Sequence, residues 1–327
     1  NNHLNKNNVS LRPDELPNFS STSGITMYPL LCKLFCSKSK YWSLGKEFFE
    51  NPYICIREEM DRLQAHKQMQ YASLVLCMIC KNEITESMMT KKDPEFMEAK
   101  EKVFENCRVR GWNTEIKDAL DNMINTFTVR TNEGYSLIHD AVYEVLASHY
   151  GNKHQEDMLK YMSSSFVANK FIINDTSNDI GDLHIKLHKK HYQAFAERIF
   201  RDLKSSQLHD VFMNKTLKIQ CICNALIDEL KELSYNEIKK LFFQNIKFSW
   251  NRFKANNIEW DRQDLLIDYR LEENNTRAIS WVISYGHRQL LQFLFDQVAE
   301  HQESIRRVMY LEIRGENGNG FISNRQE

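Results

Sequence analysis

One alternating segment, TFTVRTNEGYSLIH at residues 126–139, interrupts a chain whose other apolar residues recur at helical spacing. Alternation on both sides of TNEG predicts two antiparallel strands joined by a tight turn, in which Gly134 adopts a positive φ. Folds rich in sheet need many turn residues, and 327 residues with only 10 Gly and 5 Pro do not supply them. The sequence therefore predicts a mainly α-helical protein with one β-hairpin.

Three helical segments precede this hairpin. The first is the strongly apolar run at residues 67–80, and the second is expected to begin at Pro94. The third is WNTEIKDALDNMIN, in which Asn113 or Thr114 is the expected N-cap. Three helices closed by a hairpin are the pattern of a winged-helix domain, which we place at residues 65–151.

The rest of the chain is predicted to be helical between polar ends. Its first residue is Asn rather than Met, so we expect a piece of a longer protein. Two short helices joined by YGH are expected near the C-terminal end. The predicted divisions outside the winged helix are a flexible lead or the end of an upstream domain at 1–24, a small helical subdomain at 25–64, an α-helical stretch at 152–270, the helix pair at 271–314, and a loop or truncation point at 315–327.

Charge and cysteine usage predict a cytoplasmic protein that binds neither nucleic acid nor membrane. The net charge of -1 gives no global attraction to an anionic surface. The longest apolar run falls far short of the roughly 20 residues that span a bilayer. The eight cysteines lie in apolar helical runs, which is typical of reduced, buried thiols rather than of a disulfide framework.

Motifs for catalysis are missing from the sequence. It contains no GxSxG, HExxH or GxGxxG, and Gly45–Lys46 lacks the remainder of a phosphate loop. We therefore expect that this chain alone is not an enzyme. His184, His188 and His191 have the spacing of one helix face, but the neighbouring lysines favour a solvated basic face over a metal site.

The predicted winged helix raises the question of DNA binding. The helix before the hairpin carries Glu115, Asp118 and Asp121 against Lys117 alone. Duplex DNA requires several cationic contacts to phosphate, so this acidic surface disfavours it.

The hairpin is followed directly by His139 and Asp140. We expect Asp140 to be the N-cap of the next helix, because its carboxylate can accept a first-turn amide and is favoured by the helix dipole. Alternation places His139 on the face of Tyr135 and Leu137, where a ring nitrogen could bond a phosphate presented by a neighbouring domain.

The segment YSLIHDAVYEVLASHYG resembles the winged-helix segment of STAND NTPases, in which a hydrophobic-His-Asp motif closes the nucleotide pocket. The chain is most similar to the region after the P-loop module in novel STAND NTPases of large invertebrate families, over roughly residues 25–300. YPLLCKLFCSKSKYWSLGKEFFENP fits the helical lid of that family, and MLKYMSSSFVANKFI and QAFAERIFRDL fit its helical connector. ISWVISYGHRQLLQFLFDQV resembles one helix pair of an ankyrin-like array.

The resemblance implies a regulatory role in signalling, including innate immune signalling. His139 would sense the terminal phosphate of ADP, and Pro29 would pack near adenine as the proline of the Gly-x-Pro lid motif. No cofactor is expected in this chain alone; ADP or ATP with magnesium would bind to the full-length protein. The expected partners are the upstream NTPase domain, proteins that bind the ankyrin-like repeats, and further copies on activation. Met27 replaces the glycine of the lid motif, which leaves a protein-interaction scaffold with decayed nucleotide machinery as the alternative.

Overall fold

The computed structural model describes residues 31–32, 35–36, 39–42, 45, 48–49, 52–91, 93–173, 183–244 and 277–310. This part of the chain is mainly helical, as predicted, with a small antiparallel sheet. It forms two compact units. One takes the described residues of Asn1–Met162 and Asn174–Lys186, and the other those of Ser163–Ile173 and Leu187–Glu327. The finer six-part division of the chain stays a prediction.

Eight helices and four strands of the first unit have their bounds within the described residues. Their bounds are α1 Ser39–Trp42, α2 Pro52–His66, α3 Gln68–Ile79, β1 Ile84–Thr85, α4 Glu86–Thr90, α5 Pro94–Cys107, α6 Asn113–Asp121, β2 Thr128–Arg130, β3 Gly134–Leu137, α7 Asp140–Gly151, α8 Gln155–Tyr161 and, numbered fifth in chain order, β5 Ile185–Lys186.

Helix α3 is the centre of the first unit. Every residue from Tyr71 to Ile79 is buried, because the helix is apolar on all sides and is enclosed by its neighbours. Helices α2, α5, α6 and α7 pack around it, and strand β3 lies against it. The sequence placed this helix at residues 67–80, within one residue of its observed ends at both termini.

The predicted hairpin is present and belongs to a three-stranded sheet. Strands β2 and β3 are antiparallel, with Thr128 opposite Leu137 and Arg130 opposite Tyr135. The other edge of β3 pairs with β1, which gives the strand order β1-β3-β2. Strand β1 was not predicted from the sequence, since two residues are too few to show alternation.

Two local predictions in this unit were wrong. The φ of Gly134 lies outside the left-handed region; glycine is needed there because a Cβ would fall against the Ile84 carbonyl and 2.7 Å from Thr85 Cα. The N-cap of α6 is Trp112 rather than Asn113 or Thr114. Trp112 has extended backbone, and its N–H donates to the Glu115 carboxylate at 2.6 Å, so the helix begins at the next residue.

The second unit is built from short helices. Its core forms where α10 (Tyr192–Lys204) packs against α12 (Gln220–Lys231) and where α12 packs against α15 (Arg288–Glu300), with Phe195, Leu226 and Leu290 buried. The expected helix pair, α14 (Ala278–Ser284) and α15, is present, and Gly286 in its connecting turn has a φ of +71°. The bounds are α9 Ser164–Lys170, β4 Phe171–Ile172, α10 Tyr192–Lys204, α11 Leu208–Met213, α12 Gln220–Lys231, α13 Tyr235–Phe243, α14 Ala278–Ser284, α15 Arg288–Glu300 and α16 Ile305–Tyr310, with 3-10 turns at Lys189–His191 and Lys215–Lys218.

Candidate functional site

His139 lies between the hairpin and α7 and is the N-cap of that helix. Its backbone is extended (φ -160°, ψ 146°), and its Nδ1 accepts a hydrogen bond from Ala141 N–H at 3.1 Å. Its carbonyl oxygen accepts from Val142 N–H at 3.0 Å, which also anchors the residue. A neutral ring whose Nδ1 is an acceptor carries its proton on Nε2. The ring is half-buried, and none of the described residues bonds this Nε2.

The prediction that Asp140 caps α7 was wrong by one residue. Asp140 is the first helical residue and is exposed. The amides that a cap at position 140 would bind, those of Val142 and Tyr143, donate instead to the His139 carbonyl oxygen. The negative charge of Asp140 still lies in the first turn, where it favours the helix. The other predicted sensing residue, Pro29, and the neighbouring Met27 lie outside the described residues.

The surface of α6 and the hairpin is a network of opposite charges. Glu86 accepts from both Lys117 and Arg130, each at 3.2 Å. Arg130 lies 3.7 Å from a carboxylate oxygen of Asp121, which also accepts from Tyr135 Oη at 2.7 Å. Lys117 and Arg130, the cations of this surface, therefore form ion pairs with carboxylates of the first unit.

A chain of polar groups that was not predicted from the sequence joins α2, α3 and α7; Tyr71 and His149 are buried, and Asp61 is exposed. Tyr71 Oη lies 2.6 Å from His149 Nδ1, and His149 Nε2 lies 2.9 Å from Asp61 Oδ1. Burial lowers the pKa of His149 despite the raising effect of Asp61. The neutral ring can thus accept from the phenol and donate to the carboxylate. A signal was present in the sequence, since His149 and Tyr71 stand at core positions of apolar helices.

This chain of groups resembles the acid, imidazole and hydroxyl of a nucleophilic triad, but its hydroxyl cannot reach a substrate. Tyr71 is completely buried, and burial raises the pKa of its phenol. The arrangement therefore stabilises the packing of three helices. A second buried cluster does the same for α5, α7 and α8, where Tyr150 Oη and Asn106 Nδ2 both donate to Asp157 Oδ2.

The three histidines considered for a metal site do not share a helix face. His184 precedes β5, His188 precedes the 3-10 turn before α10, and His191 is the last residue of that turn, so the three do not lie on one α-helix. No metal-binding group of His, Cys, Asp and Glu occurs among the described residues.

The cysteines match the predicted buried thiols only in part. Cys77 and Cys107 are buried, and burial raises the pKa of Cys107 to about 12, so its thiol stays protonated. Cys221 is exposed, contrary to expectation. It lies on the face of α12 opposite the buried Cys223.

None of the described helices has both the length and the apolar character needed to cross a membrane. Comparison with known proteins yields no match, either to a family model, to a curated protein or to a solved structure.

Proposed function

We propose that this chain is the regulatory C-terminal part of a STAND-type signalling ATPase. In this proposal it closes on ADP or ATP held by an upstream P-loop domain and couples the nucleotide to a protein-interaction array. The geometry of His139 carries the proposal. Its Nδ1 is committed to capping α7, which fixes the ring, while its Nε2–H remains available as a donor to an anionic oxygen.

The order of elements supports a winged-helix assignment for the first unit. Helix α3, strand β1, helices α5 and α6, and strands β2 and β3 follow one another, with only the single-turn α4 added. Strand β3 lies between β1 and β2, as the third strand does in winged-helix domains. His139 then lies two residues after the last strand of the wing, with only Ile138 between them.

The charges favour a protein or nucleotide role over DNA binding. Lys117 and Arg130 both pair with Glu86, so a DNA phosphate would have to displace a carboxylate at each. Two helices joined by the YGH turn support an ankyrin-like array beginning at α14, which would recruit protein partners or further copies on activation.

In this proposal ADP presents its terminal phosphate to this chain, and the upstream domain holds the magnesium ion. Within this chain, His139 Nε2–H fits a phosphate oxygen as a hydrogen-bond donor, and the capped conformation limits rotation of the ring. Asp140 is exposed in the same turn and would repel a phosphate, so the fit depends on its carboxylate staying in solvent. The proposed role of this region is to favour the closed state, in which this chain contacts the nucleotide held by the upstream domain.

The test uses the longer protein that includes the residues upstream of Asn1. ADP affinity should fall about tenfold in His139→Ala and at least as much in His139→Asp, measured by calorimetric titration. Aspartate is a strong N-cap, so His139→Asp preserves the start of α7 and places a negative charge where the phosphate would lie.

Unchanged ADP affinity in both variants, with unchanged oligomerisation, would contradict the sensing role. If the longer wild-type protein binds no nucleotide at all, the scaffold with decayed nucleotide machinery becomes the better account. Retention on DNA that weakens with salt would instead favour the winged-helix DNA binder.

A further inference from the structure

The first unit contains a basic cleft of ≈ 650 Å³, open to solvent, at the start of α3. We define the basic cleft by residues 67–70, residues 108–110 after α5, and Glu115 of α6. Lys67, Arg108 and Arg110 are exposed, and none of them has a carboxylate partner among the described residues. Three cations against the single carboxylate of Glu115 leave a net charge of +2.

The connection between α5 and α6 fixes the cations at this place. Arg108 ends α5 in the left-handed conformation (φ 55°, ψ 39°), and the next amide, Val109 N–H, returns to the Phe104 carbonyl at 3.0 Å. Gly111 lies so close to α3 that a Cβ there would be 2.6 Å from Met69 Cε. The loop that carries both arginines is therefore packed against the first turn of α3.

The single carboxylate of the cleft is already engaged. Glu115 Oε2 accepts from Trp112 N–H at 2.6 Å, which ties it to the start of its own helix. Lys67, Arg108 and Arg110 form no ion pair with it or with another described carboxylate, whereas Lys117 and Arg130 on the neighbouring surface both pair with Glu86. Guanidinium groups suit the paired oxygens of a phosphate, and two of the three cations are arginines.

We infer that the basic cleft binds a small phosphate-bearing anion, at a site separate from His139. The first-turn amides of α3, to which Lys67 makes no side-chain cap, are offset by the carbonyl ends of α2 and α5 at the same place, so the positive potential comes from the three cationic side chains. A small anion is favoured over an acidic protein because the charge is concentrated in one cleft at the ends of three helices. This site does not depend on an upstream domain.

Inorganic pyrophosphate is the probe, titrated calorimetrically into the chain. The wild type should bind it, and Arg108→Gly and Arg110→Gln should each weaken binding about tenfold. Glycine suits the positive φ at position 108, so Arg108→Gly should keep the fold. Lys91→Gln is the matched control, because Lys91 is exposed and lies outside the cleft; its affinity should equal that of the wild type.

Absence of binding in the wild type, or equal affinity in the arginine variants and the control, would overturn the inference. Parallel titrations with ADP, with an inositol polyphosphate, and with vesicles containing a phosphorylated inositol lipid identify the source of the phosphate. His139→Asp should leave pyrophosphate affinity unchanged, so failure of the nucleotide-sensing proposal and failure of this one give different results.

Discussion

At the scale of single residues, His139 shows how one side chain can serve the fold and remain available for binding. Histidine is an uncommon N-cap, and the sequence favoured the neighbouring Asp140 because a carboxylate is the better acceptor. The extended backbone of His139 decides otherwise, since it places the ring next to Ala141 N–H. A preference for one residue type does not determine which of two adjacent residues begins the helix.

The capping bond has a measurable contribution to stability. His139→Ala should lower the free energy of unfolding by about 1 kcal/mol, because Ala141 N–H loses its acceptor. His139→Asp should lose little, since aspartate accepts the same bond and favours the helix dipole. Urea denaturation followed by circular dichroism measures both. Equal loss in the two variants would show that the ring contributes through packing rather than through the cap.

At the scale of elements, strand β1 completes the sheet although it has only two residues. It pairs Ile84 with Tyr135 and Thr85 with Gly134, and Glu86 N–H then donates to the Glu133 carbonyl at 2.9 Å. The hairpin alone would leave this edge of β3 unpaired. The close approach of the two backbones explains the glycine in the TNEG turn better than turn geometry does.

Gly134→Ala should therefore disturb β1 rather than the turn. The added methyl group meets backbone atoms of Ile84 and Thr85, which cannot move aside like the end of a flexible side chain. We expect a loss of about 1–3 kcal/mol in the free energy of unfolding, measured by chemical denaturation. Ser136→Ala, in the same strand, is the control and should change stability little. A stable Gly134→Ala protein would contradict the close approach of β1.

At the scale of the whole molecule, buried histidines occur in both units. Burial lowers the pKa of His149 in the first unit and of His287 in the second, and also that of the half-buried His154. His287 Nε2 donates to the Phe212 carbonyl at 2.6 Å, so this ring joins α11 to the start of α15. Each of these rings is favoured in its neutral form.

Acid should consequently weaken both units. A histidine with a lower pKa in the folded than in the unfolded state binds fewer protons when folded, so the free energy of unfolding rises with pH between the two values. The contribution of each buried neutral histidine to the free energy of unfolding is complete above its ordinary pKa of 6.5. This contribution is lost as the pH falls below 6.5 towards the pKa of the folded state. Denaturation between pH 7.5 and 5 measures this fall.

Matched variants assign the pH effect to a residue. His149→Gln should flatten the dependence, because glutamine does not titrate. Asp61→Asn should make it steeper, since Asp61 raises the pKa of His149 through its hydrogen bond. If all three proteins show the same dependence on pH, the His149 interaction does not cause the acid sensitivity.

The sequence by itself determined the class of the fold and the presence of its clearest elements. Helical spacing located α3, scarcity of glycine and proline excluded a sheet-rich fold, and alternation located the hairpin. These features depend on residues that are close in sequence, so the local spacing of apolar residues predicts them. The same periodicity wrongly joined His184, His188 and His191 on one helix, where the structure has a strand and a 3-10 turn instead.

Only the tertiary structure decided which distant groups meet. Tyr71 and His149 are 78 positions apart, and the basic cleft combines residues from α3 and from the connection after α5. Strand β1 likewise gains its conformation from β3, not from its own two residues. Such contacts form because burying helix α3 brings separate segments together around it, and no local pattern specifies which polar groups will then face one another.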